Sequence, residues 1–337
     1  MNTSDVLSQR LHNQKLSSSE LKTPADVVRW LGAVQAQDYH GAKWALALRM
    51  RNATHADVEA AFNNGEIIRT HLLRPTWHFV APEDVRWLLQ LTAPHVNRRS
   101  GSGYRMFELD DVVFKKSNKV LTRALRGGKH LTRATLKAAL NKAGIAADNG
   151  VRLAHILLRA ELDGIVCSGP RVGKQFTYAL FEERVPPGKT LTREEALSEL
   201  TRRYFRSHGP ATLQDFIWWS GLSTTDAKHG LELAGEKETQ ITRIKNRIDY
   251  PCHLLPAFDE YFVAYKERET MPGLNNWDVL GPTIIIGGKV AGRWKQTNGR
   301  ITLNVLRDLN KTEHRALIAA QQRYIDFLQE PGNHESN

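Results

Sequence analysis

Apolar residues recur at helical spacing from Gly150 to Leu162, where Val151, Ala154, Leu157, Leu158 and Leu162 define one side of a helix and Arg152, His155 and Arg159 the opposite side. The helix before it starts at an N-cap, Thr132, and stops at Gly144; a shorter one ends at Leu125 before Gly127-Gly128. Behind them, Ile165-Val-Cys-Ser and Gln175-Phe-Thr-Tyr-Ala-Leu read as two strands around the turn Gly169-Pro-Arg-Val-Gly173. Three helices followed by a hairpin is the order of a winged helix-turn-helix unit.

Similar punctuation flanks this unit on both sides. Thr190-Leu-Thr-Arg echoes Leu131-Thr-Arg, a helix runs to about Ser207, Thr212 and Ser223 cap the next two helices, and the strand Thr239-Gln-Ile-Thr-Arg-Ile closes the set. Nearer the N-terminus, Pro24 starts a helix to about Val34, Gly41 to Met50 and Ala56 to Phe62 follow, Thr54 caps the latter, and Arg69 to Val80 reads as a bent strand or hairpin. Pro82 opens another helix through Leu91, and Gly101-Ser-Gly103 reads as a flexible connection. From Cys252 onward, strand-like runs with Gly287-Gly288 as a two-residue hairpin turn precede a helix from Glu313 to Leu328. The expected fold is α+β: about three tandem winged helix-turn-helix units, a C-terminal antiparallel β region and a closing helix. The expected boundaries are 1–110, 111–189, 190–250 and 251–337.

Charge sharpens this picture. The chain has 47 Lys and Arg against 36 Asp and Glu, and residues 111–190 alone carry 15 basic and 6 acidic side chains, nine of the net eleven charges. A confined positive field suits a polyanion, most commonly nucleic acid; the plain alternative is a solvated basic face. Arg152, His155 and Arg159 lie where a recognition helix presents donors to a major groove, and Arg171 and Lys174 on the hairpin loop reach toward the adjacent backbone. No apolar run approaches the roughly 18 residues of a membrane span, and the first residues have neither the basic nor the apolar region of a leader. Cys167 and Cys252 are isolated in sequence, as in a cytoplasmic protein.

Familiar catalytic patterns are missing. Gly169-Pro-Arg-Val-Gly173-Lys174-Gln175 has three residues between its glycines and a Gln where a phosphate loop needs Ser or Thr, and the thirteen histidines form no set at metal spacing. What remains is Gln35-Ala36-Gln37 at a helix end. In extended backbone the two glutamines share a face, and two carboxamides together donate and accept hydrogen bonds. Such a clamp orients a water and stabilises a cationic sugar-like transition state, which suffices when the leaving group is already good. Ordinary polar helix-end residues are the competing reading.

Gln35-Ala-Gln37 followed by Gly41-Ala-Lys-Trp-Ala-Leu, then Arg74-Pro-Thr-Trp-His78-Phe-Val, Leu254-Leu-Pro-Ala-Phe-Asp259-Glu-Tyr and Ile285-Ile-Gly-Gly-Lys-Val-Ala-Gly-Arg-Trp294 together resemble the AlkZ/YcaQ-like bacterial DNA glycosylases of the helix-turn-helix 42 superfamily. The resemblance implies a C-shaped tandem winged-helix protein that excises alkylated bases, including bases joined in interstrand crosslinks. Gln37 places the chain with the Gln-x-Gln (AlkZ-like) branch, so Gln35 and Gln37 are the implied catalytic pair, with Asp38 as a rival base. Alkylation at N7 or N3 makes a purine cationic and weakens its glycosidic bond, so two amides can replace a carboxylate.

Other residues in the matching blocks carry two readings each. Thr76 and His78 line a cleft, His78 as a phosphate or lesion contact or as a structural strand histidine. Asp259 orients water or stabilises a turn, the latter favoured. Lys289 and Arg293 flank a hairpin that reaches a DNA groove or is plain surface. The implied partner is double-stranded DNA containing alkylated or crosslinked bases, bound by a monomer in the bacterial nucleoid, with no metal or cofactor. The competing class is a non-enzymatic winged-helix regulator or damage-binding relative, against which stands the lack of a dimerising heptad.

Overall fold

The computed structural model describes residues 3–236, 252–266, 280–297 and 299–329; the strand expected at Thr239 lies outside them. The N-terminal part contains α1 (Thr3–Asn13), α2 (Pro24–Leu31), β1 (Val34–Gln35), α3 (Tyr39–Ala47), α4 (His55–Asn64), β2 (Ile68–Leu72), β3 (Arg74–Val80) and α5 (Val85–Met106). The basic part follows as α6 (Asp111–Leu125), β4 (Leu131–Thr132), α7 (Arg133–Lys142), α8 (Gly150–Leu162), β5 (Val166–Val172), β6 (Gln175–Leu180) and α9 (Phe181–Arg184). Next come α10 (Arg193–His208), α11 (Leu213–Ser220) and α12 (Thr224–Ala234). The chain closes with β7 (Cys252–Leu255), α13 (Glu260–Val263), β8 (Thr283–Ile286), β9 (Lys289–Thr297), β10 (Arg300–Val305) and α14 (Lys311–Leu328).

Local chemistry explains most boundaries. Thr23, Thr54, Thr192, Thr212 and Asn310 each close a capping box, their side chains satisfying an orphan helix N–H while the acidic residue three positions on satisfies theirs. Three small antiparallel sheets result, ordered β1-β3-β2, β4-β6-β5 and β10-β9-β8-β7. No helix among the described residues is long and apolar enough to cross a membrane.

Two expectations need correction. Gly101 and Gly103 do not form a flexible connection but lie inside α5, which is 22 residues long. Gly103 is there for packing: a Cβ would sit 2.6 Å from the His155 imidazole, which lies against the helix. The face of α8 also differs from its periodic reading. Val151 is 54% exposed and Ala154 is exposed, whereas Leu153, Ile156 and Leu157 enter one core and Leu158 and Leu162 another. A helix wedged between two cores has no single apolar stripe.

The cores join distant segments. Leu7, Val28, Trp44 and Phe62 share one with Leu254, Ile285, Trp294 and Phe327. The indole N–H groups of Trp44 and Trp294 donate to the carbonyls of Leu254 and Leu255 at 2.6 and 2.7 Å, tying α3 and β9 to β7. A second core packs Leu88, Leu158, Tyr204, Trp219 and Tyr265; a third belongs to α6, α7, α8 and their sheet. Strand β1, which carries Gln35, lies over the seam between the first two.

Candidate active site

Strand β1 is two residues long, and external groups hold it. Gln35 pairs opposite His78 of β3, and the Ala36 N–H donates to the Trp77 carbonyl at 2.6 Å. From the other side, the Gln35 N–H donates to Oε1 of Glu260 at 2.8 Å, and Nε1 of Trp219 donates to Oε2 at 2.9 Å. Glu260 is fully buried; burial pushes its pKa up, but His208, Arg74 and the Gln35 amide outweigh this and hold the carboxylate well below its usual range. Burial lowers the pKa of His208, 3.5 Å away, and Glu260 works against that shift. An ionised Glu260 thus acts as the peg on which the backbone of Gln35 hangs.

The two glutamines have different surroundings. Gln35 is buried, and Nη2 of Arg74 donates to its Oε1 at 2.8 Å while Nη1 of Arg74 donates to the Trp219 carbonyl at 2.9 Å. A guanidinium only donates, so the amide atom facing it is the oxygen, and its orientation is fixed. Gln37 is exposed, and its Oε1 accepts the Trp77 N–H at 3.4 Å. Each carbonyl keeps a second lone pair and each amide its N–H donors, so both glutamines retain the capacity to hold a water.

The neighbours proposed for chemistry take structural posts. Asp38 is the N-cap of α3, its carboxylate accepting the Gly41 N–H at 3.2 Å. His78 is fully buried, its Nδ1–H donating to the Thr76 carbonyl at 2.9 Å, and burial pulls its pKa down to about 3; a neutral, sealed imidazole is no phosphate contact. Thr76 is partly buried with its hydroxyl enclosed. Asp259 does not line a cleft: it is buried in a bidentate ion pair with Arg49 at 2.8 and 2.9 Å, and Arg49 also donates to Gln14.

Several residues expected to grip DNA are likewise committed inward. The Nε of Arg152 donates to the Ala146 carbonyl at 2.8 Å, and its Nη1 reaches the carbonyls of Phe107 and Glu108, locking α8 to the end of α5. Arg159 bridges Asp163 at 2.8 Å and Asp111 at 3.6 Å and lies over Phe114. Arg171 folds onto the N-terminal part: Asn63 accepts its backbone N–H at 2.9 Å, and its guanidinium packs on Tyr39 and Phe176. The hairpin at Gly287-Gly288 is pinned too, since the Tyr261 hydroxyl donates to the Gly288 carbonyl at 2.9 Å and a Cβ there would strike Leu7 at 2.9 Å. Lys174 and Lys289 remain exposed, and Arg293 is partly buried.

His155 goes elsewhere. Together with Gln37, Trp77, His71, Val151 and Ala154 it lines a pocket of about 450 Å³ between β3 and α8. Behind its wall sits Glu161 of α8, fully buried, which accepts the His71 N–H at 2.8 Å, the His71 Nδ1–H at 2.6 Å, the Thr70 hydroxyl at 3.3 Å and the Trp77 Nε1–H at 3.4 Å. Glu161, Glu260 and Arg74 escaped the sequence reading. An acidic residue inside an apolar run, as in Phe258-Asp259-Glu260-Tyr261-Phe262 or Leu157-Leu158-Arg159-Ala160-Glu161-Leu162, was the available signal, because buried carboxylates are found paired.

Residues 28–327 match the family model described as DNA glycosylase AlkZ-like, and the chain belongs to that family. It is therefore a DNA glycosylase, a hydrolase of N-glycosyl bonds. The chain is similar to an interstrand DNA cross-link repair glycosylase of Streptomyces sahachiroi, 24% identical over 353 aligned residues that cover 93% of this chain and 92% of the relative. Its backbone matches the structure of Streptomyces sahachiroi DNA glycosylase AlkZ with a TM-score of 0.74 at 20% identity, covering 96% of each chain.

Proposed function

We propose that the protein hydrolyses the N-glycosidic bond of cationic alkylated purines in duplex DNA and unhooks interstrand crosslinks, with Gln35 and Gln37 positioning the attacking water. One observation carries this reading: both glutamine carbonyls face fixed donors, Arg74 and the Trp77 N–H, while the adjacent carboxylates of Asp38 and Glu260 are spent on capping and on holding β1. A site built on amides has no strong base, so it needs a leaving group that departs readily. An N7- or N3-alkylated purine is one. As water adds at C1′, the bonding electron pair moves onto the cationic base, which leaves neutral, and the water gives up its proton to solvent.

The crosslink part of the proposal draws on the named activity of the Streptomyces relative. DNA is held by the basic segment 111–189, where Arg133 and Lys174 are exposed, together with Arg99 of α5. The described residues of segments 1–110, 190–250 and 251–337 support the catalytic strand, and one chain carries both grip and site, so it acts as a monomer on the nucleoid. The test is release of free base from an oligonucleotide containing 7-methylguanine. Gln35→Ala and Gln37→Ala are each expected to cost about 10²-fold or more in single-turnover rate while duplex binding persists. Full activity in both variants would overturn the assignment.

A further inference from the structure

We infer that His71 is a further catalytic residue and Glu161 its positioning residue: Nε2 of His71 takes the proton of the water held by Gln35 and Gln37 and passes it to solvent through the pocket between β3 and α8. This rests on the glycosylase reading of the glutamine pair. It adds what two carboxamides lack, because an amide orients water but is too weak a base to accept its proton.

Glu161 and His71 have the arrangement of a carboxylate that orients an imidazole. Glu161 has no exposed surface, and its Oε2 accepts both the His71 Nδ1–H at 2.6 Å and the His71 backbone N–H at 2.8 Å. Ring and backbone of one residue thus hang on a single oxygen. With Nδ1–H committed, the lone pair of the neutral ring falls on Nε2. That nitrogen has no hydrogen-bond partner among the described residues, and the side chain, 11% exposed, lines the same pocket as Gln37.

Trp77 joins the two groups. It pairs opposite His71 across β2 and β3, and its ring lies 4.4 Å from the imidazole. Its Nε1–H donates to the other Glu161 oxygen at 3.4 Å, and its backbone N–H donates to Oε1 of Gln37, also at 3.4 Å. Imidazole and carboxamide are therefore fixed to one residue on the wall of one pocket. The pocket, about 450 Å³, has room for several waters at about 30 Å³ each. Arg99 and Ser102, which also line it, are exposed, so it opens to bulk water.

As the water oxygen bonds to C1′, the bond from C1′ to the base breaks, its electron pair leaves with the cationic base, which departs neutral, and one water proton moves to Nε2. The imidazolium so formed lies against the Glu161 carboxylate, which stabilises it until the proton returns to a pocket water. Only water and a proton use the pocket. The base need not leave its stack, so a base tied to the opposite strand meets the same chemistry as a methylated one.

The experiment measures single-turnover release of 7-methylguanine from a duplex by the full chain, with melting temperature and duplex affinity as controls. His71→Ala is expected to slow release by about 10²-fold or more at unchanged duplex affinity, and added imidazole to recover about tenfold of that loss. A purely structural histidine would not respond to imidazole. His71→Asn, whose side-chain N–H can still reach Glu161, is expected to lose as much as His71→Ala. Glu161→Gln, whose amide can turn and reverse the tautomer, is expected to lose about tenfold or more.

A wild-type rate in His71→Asn overturns the proposal, as does a loss in His71→Ala that imidazole leaves unmoved. A wild-type rate in Glu161→Gln removes the carboxylate from it. If His71→Ala fails to fold, His71→Asn decides alone: a loss at wild-type melting temperature and duplex affinity upholds the proposal, and a loss that tracks a lowered melting temperature overturns it. No base released by wild type overturns the hydrolytic reading itself, whereas release that persists in His71→Asn leaves that reading standing.

Discussion

Nη2 of Arg74 lies 2.8 Å from Oε1 of Gln35, so the guanidinium decides which end of the Gln35 carboxamide faces outward. Replacing Arg74 with Met frees that amide to turn. Misplacement of a positioning group on this scale costs about 10²-fold, and the loss is expected in the single-turnover rate rather than in duplex affinity. Arg74→Lys should recover part of it, because an ammonium also only donates. Rates unchanged in Arg74→Met would mean that Gln35 needs no orientation.

Asp259 and Arg49 form a buried pair with both side chains at most 1% exposed. Breaking such a pair from one side leaves an uncompensated charge and is expected to cost about 3–5 kcal/mol. Denaturant unfolding of Asp259→Ala should show the loss directly. A stable Asp259→Ala with impaired chemistry would return Asp259 to the cleft.

Salt dependence separates anchors from grips. Neutralising Arg99 or Lys174 should each lower the slope of log K against log salt by about 0.9 if each meets one phosphate. Arg152→Ala and Arg159→Ala should leave the slope near that of wild type and lower the melting temperature, because Arg152 ties α8 to the Phe107 carbonyl and Arg159 reaches Asp111 and Phe114 of α6. Titrations at several salt concentrations decide between the two groups.

Acid is expected to destabilise the fold earlier than its carboxylates alone dictate. Burial holds His78 and His253 to a pKa of about 3, from an ordinary 6.5, and lowers that of His208 as well. Between those limits the unfolded chain binds protons that the folded one refuses, so the associated stability is complete above about pH 6.5 and erodes as pH falls toward 3. Glu260 adds its share only below the ordinary carboxylate range. Melting temperatures from pH 7 to 4 should fall, and the double variant His78→Asn, His253→Leu should flatten the slope.

Much of the scaffold was legible along the chain because capping and turn chemistry is local. Thr54, Thr132, Thr212 and Ser223 cap the helices expected of them, α8 has the expected bounds, and Gly287-Gly288, both with positive φ, make the expected hairpin turn. α1 went unread, and α5 was cut short, because Pro94 and two glycines interrupt a helix whose packing against α8 requires the second glycine. The glutamine motif was legible, but its supports were not. Glu260 meets Gln35, and Glu161 meets His71, across 225 and 90 residues, and no periodicity announces such pairs. The engagement of the arginines of α8 and the hairpin within the chain was hidden for a related reason: charge counts show how many cations a segment holds, not how many are already bound.

The core that unites Trp44 and Phe62 with Leu254 and Ile285 sets a birth order for the enzyme. At ribosomal speeds of roughly 5–20 residues per second, the first half of that core waits about 10–40 s for the second. Until β7 and β8 emerge, β1 lacks its seat and Glu260 does not yet exist to hold Gln35. The third core, whose buried residues all fall between Tyr104 and Tyr178, has no such wait. A nascent chain therefore completes its basic core before the strand that carries Gln35 has its support.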